Sequence, residues 1–273
     1  MKAFRGQPDI FKAISGDGKR ADLEVRRLTL SFGGVTALNN IDFEVNTGEL
    51  FAIIGPNGAG KTSLLNCLTG FYRPQAGMIR FNGKDITNLP THKLVNSGVG
   101  RTFQNIELFP GMTVLSNMLL ARHVHCSYGL GRALLFTRGV QKEEVRHRAV
   151  VEELIDFLEM QAIRKKPVGS LPYGLRKRVE LGRALALEPK LLVLDEPFAG
   201  MNLEEKEDMV RFLSELNKNW GQTIILVEHD MSIVMSISKR VMVLNFGDKL
   251  AEGTPEAIQN DTEVIKAYLG DTQ

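Results

Sequence analysis

An α/β fold with a mostly parallel sheet, an N-terminal antiparallel β layer and an inserted helical subdomain is predicted by three observations. Short apolar runs at Leu50–Gly55, Leu191–Leu194 and Thr223–Val227 end in glycine or charged residues, as buried parallel strands do. Helical patterns separate these runs, the alternation expected of a parallel sheet covered by helices. Before the first run, the sequence alternates between apolar and polar residues in the manner of half-buried antiparallel strands.

Taken in chain order, residues 1–21 are a polar extension with Gly6, Pro8, Gly16 and Gly18 and little periodicity, read as flexible or loosely packed. Residues 22–270 read as one domain. DLEVRRLTLSF and ALNNIDFEV predict two antiparallel strands. Leu50–Ile54 predicts a buried strand, and Lys61–Thr69 a helix after a glycine-rich turn. Residues of about 105–186 read as the helical subdomain, where Val151, Leu154, Ile155 and Leu158 fall on one helix face. Lys190–Asp195 and Thr223–Val227 resume the sheet around a helix near Leu203–Lys218. Arg240–Asn245 and Lys249–Glu252 predict further strands, and a short helix follows Pro255.

The bulk numbers narrow the function. With 34 basic and 32 acidic residues the formal charge is +2, which gives no global field for nucleic acid. The two cysteines, Cys67 and Cys126, match no metal-ligand spacing and suit a reducing compartment. No apolar run approaches the ~20 residues of a membrane-crossing helix, and the start MKAFRGQPDIFK lacks a signal peptide's apolar core. A membrane role would therefore come through a partner.

Gly55-Pro56-Asn57-Gly58-Ala59-Gly60-Lys61-Thr62 fits the phosphate-loop pattern G-x-x-x-x-G-K-[ST] without departure. Glycines let successive N–H groups point into one concavity, and the helix beginning there adds its positive end. Lys61 would reach the β- and γ-phosphates of a nucleotide, the Thr62 hydroxyl would join a Mg²⁺ shell, and Ser63 would bond the α-phosphate. The strand before and the helix after supply the setting of a P-loop NTPase core. Further on, Leu191–Leu194 delivers Asp195 and Glu196 at a strand end. Asp195 would hold the metal, usually through water, and Glu196 would orient or deprotonate the attacking water.

Three further features fall in order around these motifs, and with them the chain resembles the ATP-binding subunits of ABC transporters. The resemblance covers about residues 22–270 and implies ATP and Mg²⁺ as ligands. Gln104 in Arg101-Thr102-Phe103-Gln104 looks like the family's glutamine loop, which implies contact with Mg²⁺ and the attacking water and coupling to membrane subunits. His229 in Val227-Glu228-His229-Asp230 looks like the histidine that contacts the γ-phosphate. Phe32 stands where the family stacks an aromatic on adenine, although it could equally be a core residue of the β layer. Ser170-Leu171-Pro172-Tyr173-Gly174-Leu175 aligns with the signature L-S-G-G-Q, which in the family presses on ATP bound by the opposite subunit. Here Pro172 removes the serine hydroxyl and Leu175 replaces the glutamine, while the Gly174 N–H and the helix dipole remain to face an anion. One phosphate hydrogen bond fewer costs on the order of 1.5–3 kcal/mol at that contact, so weakened dimerisation or hydrolysis is expected.

Residues 101–105, 108–115 and 199–202, together with Ala251–Pro255 and Ala267–Gly270, resemble the branched-chain amino-acid import branch, the LivG type. Asn202, where many relatives carry aspartate, reads as a mark of that branch. Urea-import and lipopolysaccharide-export ATPases share parts of the pattern, and a soluble ABC-type regulator is a third reading. The resemblance implies a second ATP-binding subunit, two integral membrane permease subunits and a solute-binding protein as partners. It also implies a peripheral position on the cytoplasmic face of the plasma membrane.

Overall fold

The computed structural model describes residues 23–102, 106–126 and 138–269. The expectations for the 1–21 extension and for Gln104 lie outside the described residues.

β1 (Leu23–Phe32) and β2 (Val35–Val45) form an antiparallel pair turning at Gly33-Gly34. Strict alternation would put Leu28 and Leu30 on the face opposite Leu23 and Val25. A register shift between Val25 and Leu28, with Arg27 at φ 47°, changes the phase, so all four are buried. β4 (Ala76–Phe81) and β5 (Lys84–Asp85), which follow β3 (Leu50–Ile54) in the chain, complete the sheet in the order β2-β1-β4-β5. These two strands extend the two-strand expectation. Their signal was the Asn82-Gly83 turn, whose residues take φ 51° and 72°, as a tight hairpin demands.

The second sheet contains β3 (Leu50–Ile54), β6 (Val99–Arg101), β7 (Leu191–Asp195), β8 (Thr223–Val227), β9 (Arg240–Asn245) and β10 (Asp248–Gly253), ordered β10-β9-β3-β8-β7-β6. All neighbours are parallel except the β9–β10 hairpin. β3, β7 and β8 are buried at every residue, which explains their unbroken apolar runs. Because the inner strands run the same way, the segments leaving β3, β6, β7 and β8 emerge at one edge, where open α/β sheets bind ligands.

Around the sheets lie α1 (Lys61–Leu68), α2 (Thr91–Asn96), α3 (Val114–Ala121), α4 (Arg138–Phe157), α5 (Tyr173–Leu185), α6 (Leu203–Lys218), α7 (Met231–Ile237), α8 (Pro255–Gln259) and α9 (Thr262–Leu269). Among the described residues, none of these helices is long and apolar enough to cross a membrane. α3, α4 and α5 make up the helical lobe. Val151, Leu154 and Ile155 of α4, with Leu158 just beyond its end, are fully buried, as the spacing predicts. They share one core with Leu192 and Leu194 of β7, so the lobe is cemented to the sheet. Burying each such leucine contributes about 1.5–3 kcal/mol. The β layer packs on the opposite sheet face through Leu28, Ile41, Phe43 and Phe51.

Candidate functional site

The glycine-rich loop leaves β3 and feeds α1. Gly55, Gly58 and Gly60 have φ of 150°, 79° and 102°. A Cβ on Gly55 would collide with the Leu244 carbonyl and one on Gly60 with the Ala37 carbonyl, whereas one on Gly58 would meet open space. Two of the glycines thus seat the loop against its neighbours, and the third lies exposed. α1 starts without a side-chain cap and without an acid in its first turn, so its free N–H groups and positive dipole end face the loop. Pro56, Asn57, Ala59 and Gly60 complete the loop, Thr62 is exposed at its end and Ser63 is half-buried. Lys61 is buried, and its Nζ donates to Gly55 O at 2.6 Å and Pro56 O at 2.9 Å. Burial lowers the Lys61 pKa, and the nearby Glu196 and Asp195 oppose that by favouring its charge.

Those two acids sit at the end of β7. The Asp195 carboxyl is 2% exposed, and its Oδ2 accepts from Arg101 Nη2 at 2.8 Å. Burial pushes the Asp195 pKa up, while the hydrogen bond and charge of Arg101 pull it down. Glu196 has φ 47°, and its N–H donates to Val227 O at 2.9 Å. A non-glycine residue held left-handed costs on the order of 1–3 kcal/mol, and such strain concentrates at functional positions. The hydroxyl of Thr62 and the carboxylate of Asp195 are hard oxygen donors, the chemistry that suits Mg²⁺ beside phosphate.

After β8, Glu228 is buried and accepts two backbone bonds, Phe198 N to Oε1 at 3.0 Å and His229 N to Oε2 at 3.1 Å. One carboxylate therefore ties the segment after Glu196 to the segment carrying His229. Burial pushes the Glu228 pKa up. The His229 ring is 63% exposed, open to a ligand at the sheet edge. Phe32 is 47% exposed and meets Tyr72 edge-on, with ring centroids 5.1 Å apart. That exposure sets aside the reading of Phe32 as a core residue.

The signature segment belongs to the helical lobe. Ser170 Oγ donates to Pro167 O, Leu171 is buried, and Pro172 stands at the cap immediately before α5. Proline suits that place because it donates no N–H. The Tyr173 ring lies on Gly200, and Leu175 packs against the lobe core. Gly174 is buried, and a Cβ there would collide with the Glu205 carboxylate. A carboxylate of the same chain therefore stands against the Cα of Gly174. Asn202 has a local role, since it caps α6 in a reciprocal box with Glu205.

Sequence reasoning passed over Arg101 except as a neighbour of Gln104, along with Glu228 and Glu205; single charged residues leave no pattern in one sequence. It also gave Cys126 no ligand partners. In space, Cys126, Glu143 and His147 bring ligand atoms within 4.8 Å of one another. Arg122 Nε donates to His147 Nδ1 at 3.2 Å, which places the neutral ring's proton on Nε2 and leaves no lone pair for a metal. That cluster is structural.

The family model described as ABC transporter matches residues 38–199. The model described as Branched-chain amino acid ATP-binding cassette transporter matches residues 249–272. The high-affinity branched-chain amino acid transport ATP-binding protein BraF of Pseudomonas aeruginosa is 41% identical over 252 residues, spanning 92% of this chain and 99% of that protein. The high-affinity branched-chain amino acid transport ATP-binding protein LivG of Escherichia coli is 42% identical over 252 residues, spanning 91% of this chain and 98% of that protein. Among solved structures, an ATP-binding cassette of an ABC transporter in its ADP conformation superposes with a TM-score of 0.79 at 32% identity, covering 92% of this chain and 99% of that one. A nucleotide-free cassette from an ABC transporter gives 0.78 at 33%, covering 91% and 98%.

Proposed function

The chain belongs to the ABC transporter family, and from that premise we propose that it is the ATP-hydrolysing subunit of an importer for branched-chain or related hydrophobic amino acids. One observation carries the chemistry: the glycine loop, the acid pair and His229 leave parallel strands at the same sheet edge, in a chain matched almost end to end by such transport proteins. We assign residues 22–270 to one ATP-binding domain with a helical subdomain of about 105–186.

In this reading the loop amides and Lys61 hold the phosphates of ATP, Ser63 supports the α-phosphate, and Phe32 stacks on the adenine. Thr62, Asp195 and Gln104 would hold Mg²⁺, whose charge offsets that of the phosphates. Glu196 takes the proton of the attacking water as its oxygen bonds to the γ-phosphorus, and the bond to the ADP oxygen breaks. His229 steadies the γ-phosphate. Catalysis is then mainly positioning and charge neutralisation. Pro172 and Leu175 in Ser170–Leu175 support a pair of unequal sites, completed by a second ATP-binding subunit, a paralogue or a copy of this chain. Movement of the solute belongs to two membrane permease subunits on whose cytoplasmic face the chain sits, fed by a solute-binding protein.

The test of the transported class is the complex recovered with this chain from detergent-solubilised membranes and reconstituted in vesicles. Leucine presented by its binding protein should raise ATP hydrolysis and enter the vesicles. Stimulation by urea in place of leucine would overturn the amino-acid assignment.

A further inference from the structure

Arg101 is 8% exposed at its side chain and opposes an Asp195 carboxylate that is 2% exposed. Its fork is filled on both arms. Nη2 donates to Asp195 Oδ2 at 2.8 Å, while Nη1 donates to Asn66 Oδ1 at 2.7 Å and Thr69 Oγ1 at 2.9 Å. The guanidinium carbon also lies 5.6 Å from the centre of the Phe71 ring. Asn66 belongs to α1 and Thr69 directly follows it, so the helix that begins at the glycine loop holds the cation that grips the acid of β7.

A carboxylate can turn about its last bond, where two broad orientations are available. Gripping one oxygen with a planar, rigid donor removes that freedom and fixes where the other oxygen points. A buried ion pair is by itself a poor stabiliser, because desolvation of both charges consumes the Coulombic gain. The arrangement is better explained by geometry than by stability.

We propose that Arg101 is a positioning residue for the metal-holding carboxylate: it occupies Oδ2 of Asp195 and leaves Oδ1 as the oxygen presented to the metal of Mg·ATP. This rests on the nucleotide-site reading above. Through Asn66 and Thr69, the acid of β7 and the phosphate loop are set in register by one side chain. Lysine at 101 would keep the charge but lack the fork, so it would hold Asp195 without fixing its plane.

The test uses the purified full chain and reads metal binding directly. Nucleotide affinity is measured with a fluorescent ATP analogue in EDTA. Mn²⁺ is then titrated in its presence and followed by electron paramagnetic resonance. In Arg101→Met, affinity in EDTA should stay within about twofold of wild type, while the Mn²⁺ needed for half-saturation rises about tenfold, as for other groups that orient a ligand. Arg101→Lys should fall between. Asn66→Ala, which only loosens the guanidinium, should shift Mn²⁺ by about threefold and serves where Arg101→Met does not fold. Normal nucleotide binding with an unmoved Mn²⁺ titration in the folded variants overturns this inference alone, even where thermal stability falls. A wild-type chain that binds no nucleotide overturns the nucleotide-site reading and this inference with it.

Discussion

Gly60 and Gly58 both sit at positive φ in the same loop, yet they differ in what surrounds them. Alanine at 60 meets the Ala37 carbonyl, and alanine at 58 meets nothing. Gly60→Ala should therefore cost about 2–4 kcal/mol in denaturant unfolding, and Gly58→Ala about 1 kcal/mol from backbone strain alone. Glu228 makes a second residue-scale case. Glutamine there keeps one acceptor for two backbone N–H groups and leaves the other unsatisfied, a loss of about 1–3 kcal/mol. Glu228→Gln should bind ATP normally and slow its turnover, because the segments carrying Glu196 and His229 lose their common tie. A turnover equal to wild type would remove that role. The glycines were legible in the sequence because their spacing is the chemistry. Arg101 and Glu228 were not, because their partners lie 94 and 30 residues away and only the folded sheet brings them together.

At the scale of elements, α6 begins in a reciprocal cap between Asn202 and Glu205, and the same Glu205 carboxylate covers Gly174 at the head of α5. Glu205→Ala should cost about 1 kcal/mol in stability through the lost cap. The next link along the chain responds to acid. Asp230, before α7, accepts from Lys206 Nζ of α6 at 2.7 Å and from Ser232 Oγ at 2.6 Å, and these bonds hold its pKa down at about 2. The folded value is depressed, so the stability this group contributes is complete above its unfolded value near ~3.9. It is lost as pH falls from there through about 2. Asp230→Asn should be less stable than wild type at neutral pH, and the gap should close over that acid window in chemical denaturation. A gap of constant size would show that the Lys206 pair contributes nothing. Most elements were legible because apolar runs and helix faces have fixed periods. β4 and β5 offered only the Asn82-Gly83 turn and two buried apolar residues, Ile79 and Phe81, too short a run to set a period.

On the scale of the whole molecule, the phosphate loop ends a strand of the central sheet, whereas the signature segment heads a helix of the lobe. Motif order alone could not say what lies over Gly174 or what grips Asp195. Strand order, and the core shared by lobe and sheet, decide both. With one set of motifs per chain, full activity would need a partner subunit, so hydrolysis per chain should rise with protein concentration or on addition of that partner. In the proposed function, Glu196 at the end of β7 activates water against ATP held by the glycine loop. The direct measurement is phosphate release and ATP binding by the assembled complex carrying wild-type chain or Glu196→Gln. With Glu196 as that base, the expected result is equal ATP binding and release slowed by at least about 100-fold in the variant. Release at the wild-type rate would contradict it.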